Sequence, residues 1–218
     1  SGENNLDSAY ATFQLERLLA VNNFKLKNDK LVWSSVANAT LYEIVIQPEN
    51  EANPYIYQIP HQSGELTFEY DFELVCGYDI SITAIGDTTK YLNSQTSKIT
   101  ATKAVAPTGV NLFENLENST ITVSFESEQT GVAYYELIVD GIAVTTVEAT
   151  KREFTVSSSL FELVGYHMVQ VRAVGDNAGG VISSSPSDAF LTERLDTPQI
   201  HSMSVDYDND FSHLLSEQ

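Results

Sequence analysis

The chain has 218 residues, enough for one large domain or two ordinary ones, and its 42% apolar content is enough for real hydrophobic cores. With 30 acidic against 11 basic side chains its formal net charge is −19, which disfavours both the phosphate backbone of nucleic acid and anionic membrane surfaces. Cys76 is the single cysteine, which excludes an intrachain disulfide, and no apolar run approaches membrane-spanning length.

In chain order, "SGENNLDS" carries no signal peptide and reads as the end of an excised piece. Residues 1–18 allow two readings. One is a short helix from about Asp7 to Ala20, with Tyr10, Phe13 and Arg17 at helical spacing. The other is the tail of a preceding repeat, because "TFQLERL" (12–18) echoes "FLTERL" (190–195). "LVWSSVANATLYEIVI" (31–46) predicts two strands carrying Trp33 and Tyr42. "NPYIYQIPHQ" (53–62) predicts an edge strand with Tyr55, Tyr57 and Ile59 on one face. "FELVCGYDISITAIGD" (72–87) alternates Tyr78, Ile80, Ile82 and Ala84 against Asp79, Ser81 and Thr83, the pattern of an antiparallel strand with one buried face. A loop, "GDTTKYLNSQT" (86–96), follows it.

The pattern then repeats. "FELVGYHMVQVRAVGD" (161–176) restates 72–87, and both Phe72 to Phe161 and Ala84 to Ala173 span 89 residues. Extended outward, with the spacing widened to 92 and 93 residues, the match pairs Trp33 with Phe125 and Tyr42 with Tyr135. A period of this length means a tandem of whole domains rather than a short solenoid repeat. The junction "TKAVAP" lacks a Gly or Ser run and reads as a semi-rigid joint.

Leu74 before Tyr78, and Leu163 before Tyr166, each opening a strand of the form Y-x-V-x-V-x-A, resemble the tyrosine corner of fibronectin type III domains. Aligning the two tyrosines leaves one extra residue in the first corner, compensated after it. Trp33 looks like the core tryptophan of that family, and Pro107 sits where its domains often begin. The resemblance covers roughly residues 19–193. It implies an all-β fold of two tandem fibronectin type III-like antiparallel β-sandwiches in series. Residues 19–103 form the first domain and 104–193 the second, and 194–218 form a tail or the start of a truncated third repeat, since "AFLTERLDTPQIHSM" (189–203) leaves the second copy as "TSKITATKAVAPTGV" (96–110) leaves the first.

No catalytic signature is present: G-x-S-x-G, H-E-x-x-H, the P-loop, G-x-G-x-x-G and C-x-x-C are all absent. His61, His167, His201 and His213 share no metal-ligand spacing, His167 reads as a solvent-facing strand start, and Cys76 as an inert corner residue. "DYDNDFSHLLSE" (206–217) places acidic and hydroxyl oxygens at calcium-loop offsets, but Phe211 stands where the turn needs Gly, so it reads as a solvated turn or tail. Ligand contacts are sought instead at Tyr55 and Tyr57 on the edge strand and at Lys90 and Tyr91 in the loop where this family presents ligands. The resemblance implies a non-enzymatic spacer or adhesion region of a secreted or cell-surface protein of bacterial type. It would be monomeric, need no cofactor, and engage protein or polysaccharide partners. The alternative is a pair of carbohydrate-binding modules attached to a glycan-degrading enzyme, with Tyr55, Tyr57 and Tyr91 as contacts.

Overall fold

A computed structural model describes residues 14–196. The short β1 (Glu16–Arg17) comes first, followed by β2 (Lys25–Lys27), β3 (Lys30–Ser34), β4 (Leu41–Pro48) and β5 (Tyr55–Pro60). Next are β6 (Glu65–Phe68), β7 (Gly77–Ile85), β8 (Tyr91–Leu92) and β9 (Ser97–Lys103). The second series is β10 (Thr108–Asn115), β11 (Thr120–Glu126), β12 (Val132–Val139), β13 (Ile142–Glu148), β14 (Glu153–Ser157), β15 (Gly165–Gly175), β16 (Val181–Ile182) and β17 (Phe190–Arg194). The predicted Asp7–Ala20 helix does not extend into the described residues, where Glu16 and Arg17 are a strand. The 206–217 stretch lies outside the described residues.

Each series folds into two sheets. In the first, β2-β3-β6 packs against β5-β4-β7-β9; in the second, β10-β11-β14 packs against β13-β12-β15-β17. Alternation along the strands builds the cores. Tyr42, Ile44 and Ile46 of β4 and Tyr78, Ile80, Ile82 and Ala84 of β7 point inward to meet Leu31, Trp33 and Leu66 of the opposite sheet. Tyr135, Leu137, Val169, Val171 and Ala173 meet Val123, Phe125 and Phe154 in the same way in the second. The matched aromatics keep matched contacts, with Trp33 edge-on to Tyr42 at 5.5 Å and Phe125 tilted on Tyr135 at 4.7 Å. The indole N–H of Trp33 is buried without an acceptor, so phenylalanine at the same place in the second core loses no hydrogen bond.

The corners differ from the sequence expectation. Tyr78 is buried and its hydroxyl donates to the Leu74 carbonyl at 2.7 Å, a corner in which burial holds the phenol pKa well above its usual range. Tyr166, read as its counterpart, is 75% exposed. His167 takes the place instead: it is 4% exposed, and its Nε2 lies 2.9 Å from the Leu163 carbonyl, four residues back, as Leu74 is from Tyr78. The 89-residue register therefore runs through the corner without an insertion, and His167 is a core residue rather than a solvent-facing one. The Leu74 and Leu163 side chains are exposed, so it is their backbone carbonyls that serve the corner. Tyr78→Phe is expected to cost the first domain about 1 kcal/mol through its lost hydrogen bond. Tyr166→Phe is expected to leave the second unchanged, and equal losses in paired denaturant titrations would overturn the reassignment.

Candidate functional site

The most structured surface feature is the joint between the two sandwiches, built by the loop between β15 and β17. Within that loop β16 lies parallel to β9 of the first domain, with Val181 opposite Thr102 and Ile182 opposite Lys103. The N–H groups of Thr102 and Ala104 donate to the carbonyls of Gly180 and Ile182 at 2.8 and 2.9 Å. The first domain's larger sheet thus gains a fifth strand from its neighbour. Ile182 is 1% exposed and belongs to the first domain's core, where burying a side chain of that size is worth about 1.5–3 kcal/mol.

A glycine brings the loop back. A Cβ at Gly175 would stand 2.2 Å from the Val181 carbonyl oxygen, so only glycine lets the returning chain lie this close. Asp176 then caps the turn Asn177–Gly179 by accepting from the Ala178 N–H at 3.1 Å. On the other side of the joint, the β2–β3 hairpin turns at Asn28 and Asp29, both at positive φ (52° and 59°), as a tight two-residue hairpin turn requires. That turn aims Asp29 at the loop. Its Oδ1 accepts from Asn177 Nδ2 at 2.9 Å and from the Ser183 N–H at 3.0 Å, and its own N–H donates to Asn177 Oδ1 at 2.9 Å. Lys103 lies largely buried opposite Ile182, and desolvation of its ammonium lowers its pKa while the charges of Asp29 and Asp71 act to raise it.

The same device occurs at the start of the chain. β1 lies parallel to β8 in the loop between β7 and β9, with Glu16 opposite Tyr91 and Arg17 opposite Leu92. The N–H groups of Glu16 and Leu18 donate to the Lys90 and Leu92 carbonyls at 2.9 and 3.0 Å. Gly86 again permits the approach, since a Cβ there would be 2.1 Å from the Tyr91 carbonyl oxygen. Asp87 closes the turn by accepting from the N–H groups of Lys90, Tyr91 and Thr89, which hold its carboxyl down at about 2. The repeated Gly-Asp of the two copies is thus the start of a docking loop.

No family model and no curated protein matches the chain. Among solved structures it is similar to the crystal structure of chicken CNTN1 FN1-FN3 domains, at 16% identity over 84% of this chain and 69% of that one, with a TM-score of 0.46. It is similar also to a two fibronectin type III domain segment from chicken tenascin, at 18% identity over 82% of this chain and 98% of that one, with a TM-score of 0.35. The strand order is the decisive observation. In each half the first, second and fifth main strands form one sheet and the third, fourth, sixth and seventh the other. Both domains are fibronectin type III-like sandwiches.

The four ligand-contact candidates of this fibronectin type III-like pair fall in two places. Tyr55 is exposed at the start of β5, while Tyr57 is half-buried against Phe68 and Tyr70 at ring distances of 4.9 and 5.8 Å. Tyr70 extends this aromatic row to Phe72, and burial together with the neighbouring phenols pushes its own pKa up to about 12. Lys90 is exposed and Tyr91 half-buried in the β1–β8 contact. Tyr55 opposes Ile46, which opposes Ile80, five residues along β7 from Ile85 where the loop leaves. By the same pairing Tyr57 reaches Ile82, three residues from Ile85, so along the strands Tyr55 stands about 17 Å and Tyr57 about 10 Å from the exit of the loop that carries Lys90 and Tyr91. Among the described residues no group of His, Cys, Asp or Glu could hold a metal ion, and no helix is long and apolar enough to cross a membrane.

The sequence offers Lys90 and Tyr91 of the first loop as ligand contacts and no anchor in its glycine-rich counterpart, 175–185. Sequence reasoning did not find Asp29, Asn177 or Ile182, whose roles appear only when two domains are placed in contact. The available signal was the echo of "LERL" (15–18) in "TERL" (192–195) together with the second Gly-Asp.

Proposed function

We propose that this chain is a non-enzymatic, semi-rigid spacer region of a secreted or cell-surface protein, built from sandwiches locked in series. The observation that carries this reading is the shared five-stranded sheet, in which β16 of one domain completes the other. A flexible tether would need none of these contacts. The asparagine–aspartate clamp and the seated Ile182 support a joint restrained in both bend and twist. The two Gly-Asp loops are taken up by β1 and β9 of the chain itself, which favours spacing over capture.

Small-angle scattering tests the reading directly. The chain is expected to fit a single interdomain geometry, and Asp29→Ala, which removes the side-chain bonds to Asn177 and Ser183, is expected to broaden it. The same variant should weaken the joint by about 1–3 kcal/mol while leaving each core intact. A wild-type curve that already needs a broad set of orientations would reject the spacer.

A further inference from the structure

The two strand contacts at the joints occupy equivalent places in the repeat. Val21 aligns with Pro107 and Pro107 with Pro198. This register places Glu16, Thr102 and Glu193 at one position, and Leu18, Ala104 and Leu195 two residues later. The pairing of the strands gives the same register independently. Gly77 opposes Thr102 in the first domain, and Tyr166, 89 residues after Gly77, opposes Glu193 in the second. At the first two places the residues are held by the returning strand of a following loop, and Leu18 and Ala104 are buried to 5% and 0% exposure. At the third, β17 is the last strand of its sheet among the described residues, and Leu195 is 76% exposed. Leu191 and Tyr166, on the outer face beside that end, are also exposed.

From this we infer that the end of β17, Glu193–Leu195, is a docking edge for the returning loop strand of a further domain of this same kind, added in parallel. The backbone geometry is already set. Lys103 N–H turns inward to the Cys76 carbonyl, so Thr102 and Ala104 turn outward to their partners. Arg194, paired with Gly165, corresponds to Lys103, which leaves the N–H groups of Glu193 and Leu195 on the outer side. The occupant has a stated chemistry. It is a loop that opens on Gly-Asp, lets the chain return against the glycine, and offers two carbonyls two residues apart with an apolar side chain between the strands, as Lys90 to Leu92 and Gly180 to Ile182 do. A second copy of this chain is disfavoured as occupant, because both of its docking loops are already filled by β1 and β9. The inference rests on the serial-module reading above, but it concerns a third joint rather than the stiffness of the existing one.

The test inserts a further domain and keeps the chain's own residues 199–218 after it. A copy of residues 108–198 is inserted between Pro198 and Gln199, at the spacing that separates Pro107 from its own docking loop, and amide hydrogen exchange is followed by NMR. The N–H groups of Glu193 and Leu195 are expected to exchange freely in the original chain. In the extended chain they should slow by roughly 100-fold or more, toward the rates of Thr102 and Ala104. Placing Asp at Leu195 (Leu195→Asp) should abolish that slowing without unfolding the inserted core. Two results overturn the inference. One is fast exchange at both amides while the core amides of the inserted copy are protected. The other is protection already present in the original chain, which would mean that the chain's own residues after Asp196 cover the edge. Scattering on the original chain reads the β9–β16 joint between the two sandwiches, so failure of the spacer reading is separable from failure of this one.

Discussion

Replacing Gly175 with alanine is expected to unseat β16 and open the joint. The added methyl would lie 2.2 Å from the Val181 carbonyl oxygen and within 2.7 Å of two backbone carbons, none of which belongs to a side chain that can swing away. The loop must therefore move as a unit. Forcing a methyl group into a packed site costs about 1–3 kcal/mol by itself. Displacing β16 adds the loss of the two bonds from Thr102 and Ala104 and the re-exposure of Ile182, so the total should exceed that range. The measurement is loss of exchange protection at the Thr102 and Ala104 amides, with a lowered denaturant midpoint for the first domain although the substitution lies in the second. Unchanged protection at those two amides would show that the loop is not held by close approach. Gly86→Ala is expected to do the same to β1, freeing the Glu16 and Leu18 amides, because its methyl would meet the Tyr91 backbone.

The second large effect is expected from pH and is confined to the second domain. His167 Nδ1 lies 2.8 Å from Asp140 Oδ2 and Nε2 lies 2.9 Å from the Leu163 carbonyl. Both partners are acceptors, so both ring nitrogens must carry protons and the imidazolium is the form that fits. The Asp140 bond first, and the Leu163 bond next, raise the His167 pKa above its ordinary value, against burial and the positive charge of Arg194. A raised folded pKa means that the stabilisation is fully present below about pH 6.5 and is lost as pH rises through the folded value. Asp140 works in the opposite sense. The bonds from the Met168 N–H and from His167 lower its pKa, so its contribution is present above the ordinary aspartate value and lost as pH falls through the folded one. The pair is therefore strongest in mildly acidic solution. Because Asp140 is half exposed, the loss on raising pH is placed at about 1–2 kcal/mol, the lower part of the range for charge-assisted bonds. The protection of the Val171 amide relative to the unfolded chain should fall with this loss, while the protection of the Ile82 amide in the first domain should stay constant over the same pH window. His167→Tyr supplies the hydroxyl that Tyr78 uses at the matching position, and it is expected to remove the pH response while preserving the fold. A pH response that persists in that variant would assign it to another group.

The sandwiches were legible in the sequence because period-two alternation is a local consequence of one-sided burial. Tyr42-x-Ile44-x-Ile46 and Tyr78-x-Ile80-x-Ile82 state the inward face without any knowledge of the partner sheet. The second corner was misread for a physical reason. Matching tyrosine to tyrosine favoured an insertion, whereas a histidine donor at Nε2 does the work of a phenolic hydroxyl and keeps the 89-residue register. The joint was the least legible part. Nothing in "DNAGGVISSS" marks Ile182 as a core residue of another domain, since its burial depends on a contact between segments that are distant in sequence. Asp29 reads as an ordinary hairpin-turn residue, and only its positive φ and its orientation toward Asn177 give it a second role.

The borrowed isoleucine also sets an order of events during synthesis. The first domain's strands are all made once β9 is complete, yet the residue that finishes its core, Ile182, lies 79 positions beyond Lys103. At about 5–20 residues per second, the ribosome delivers it roughly 4–16 s later. During that interval the nascent domain presents an open strand edge at Thr102 and Ala104 beside an unfilled apolar site. Like-charge repulsion from so acidic a chain disfavours edge-to-edge pairing of neighbouring copies while that gap is open.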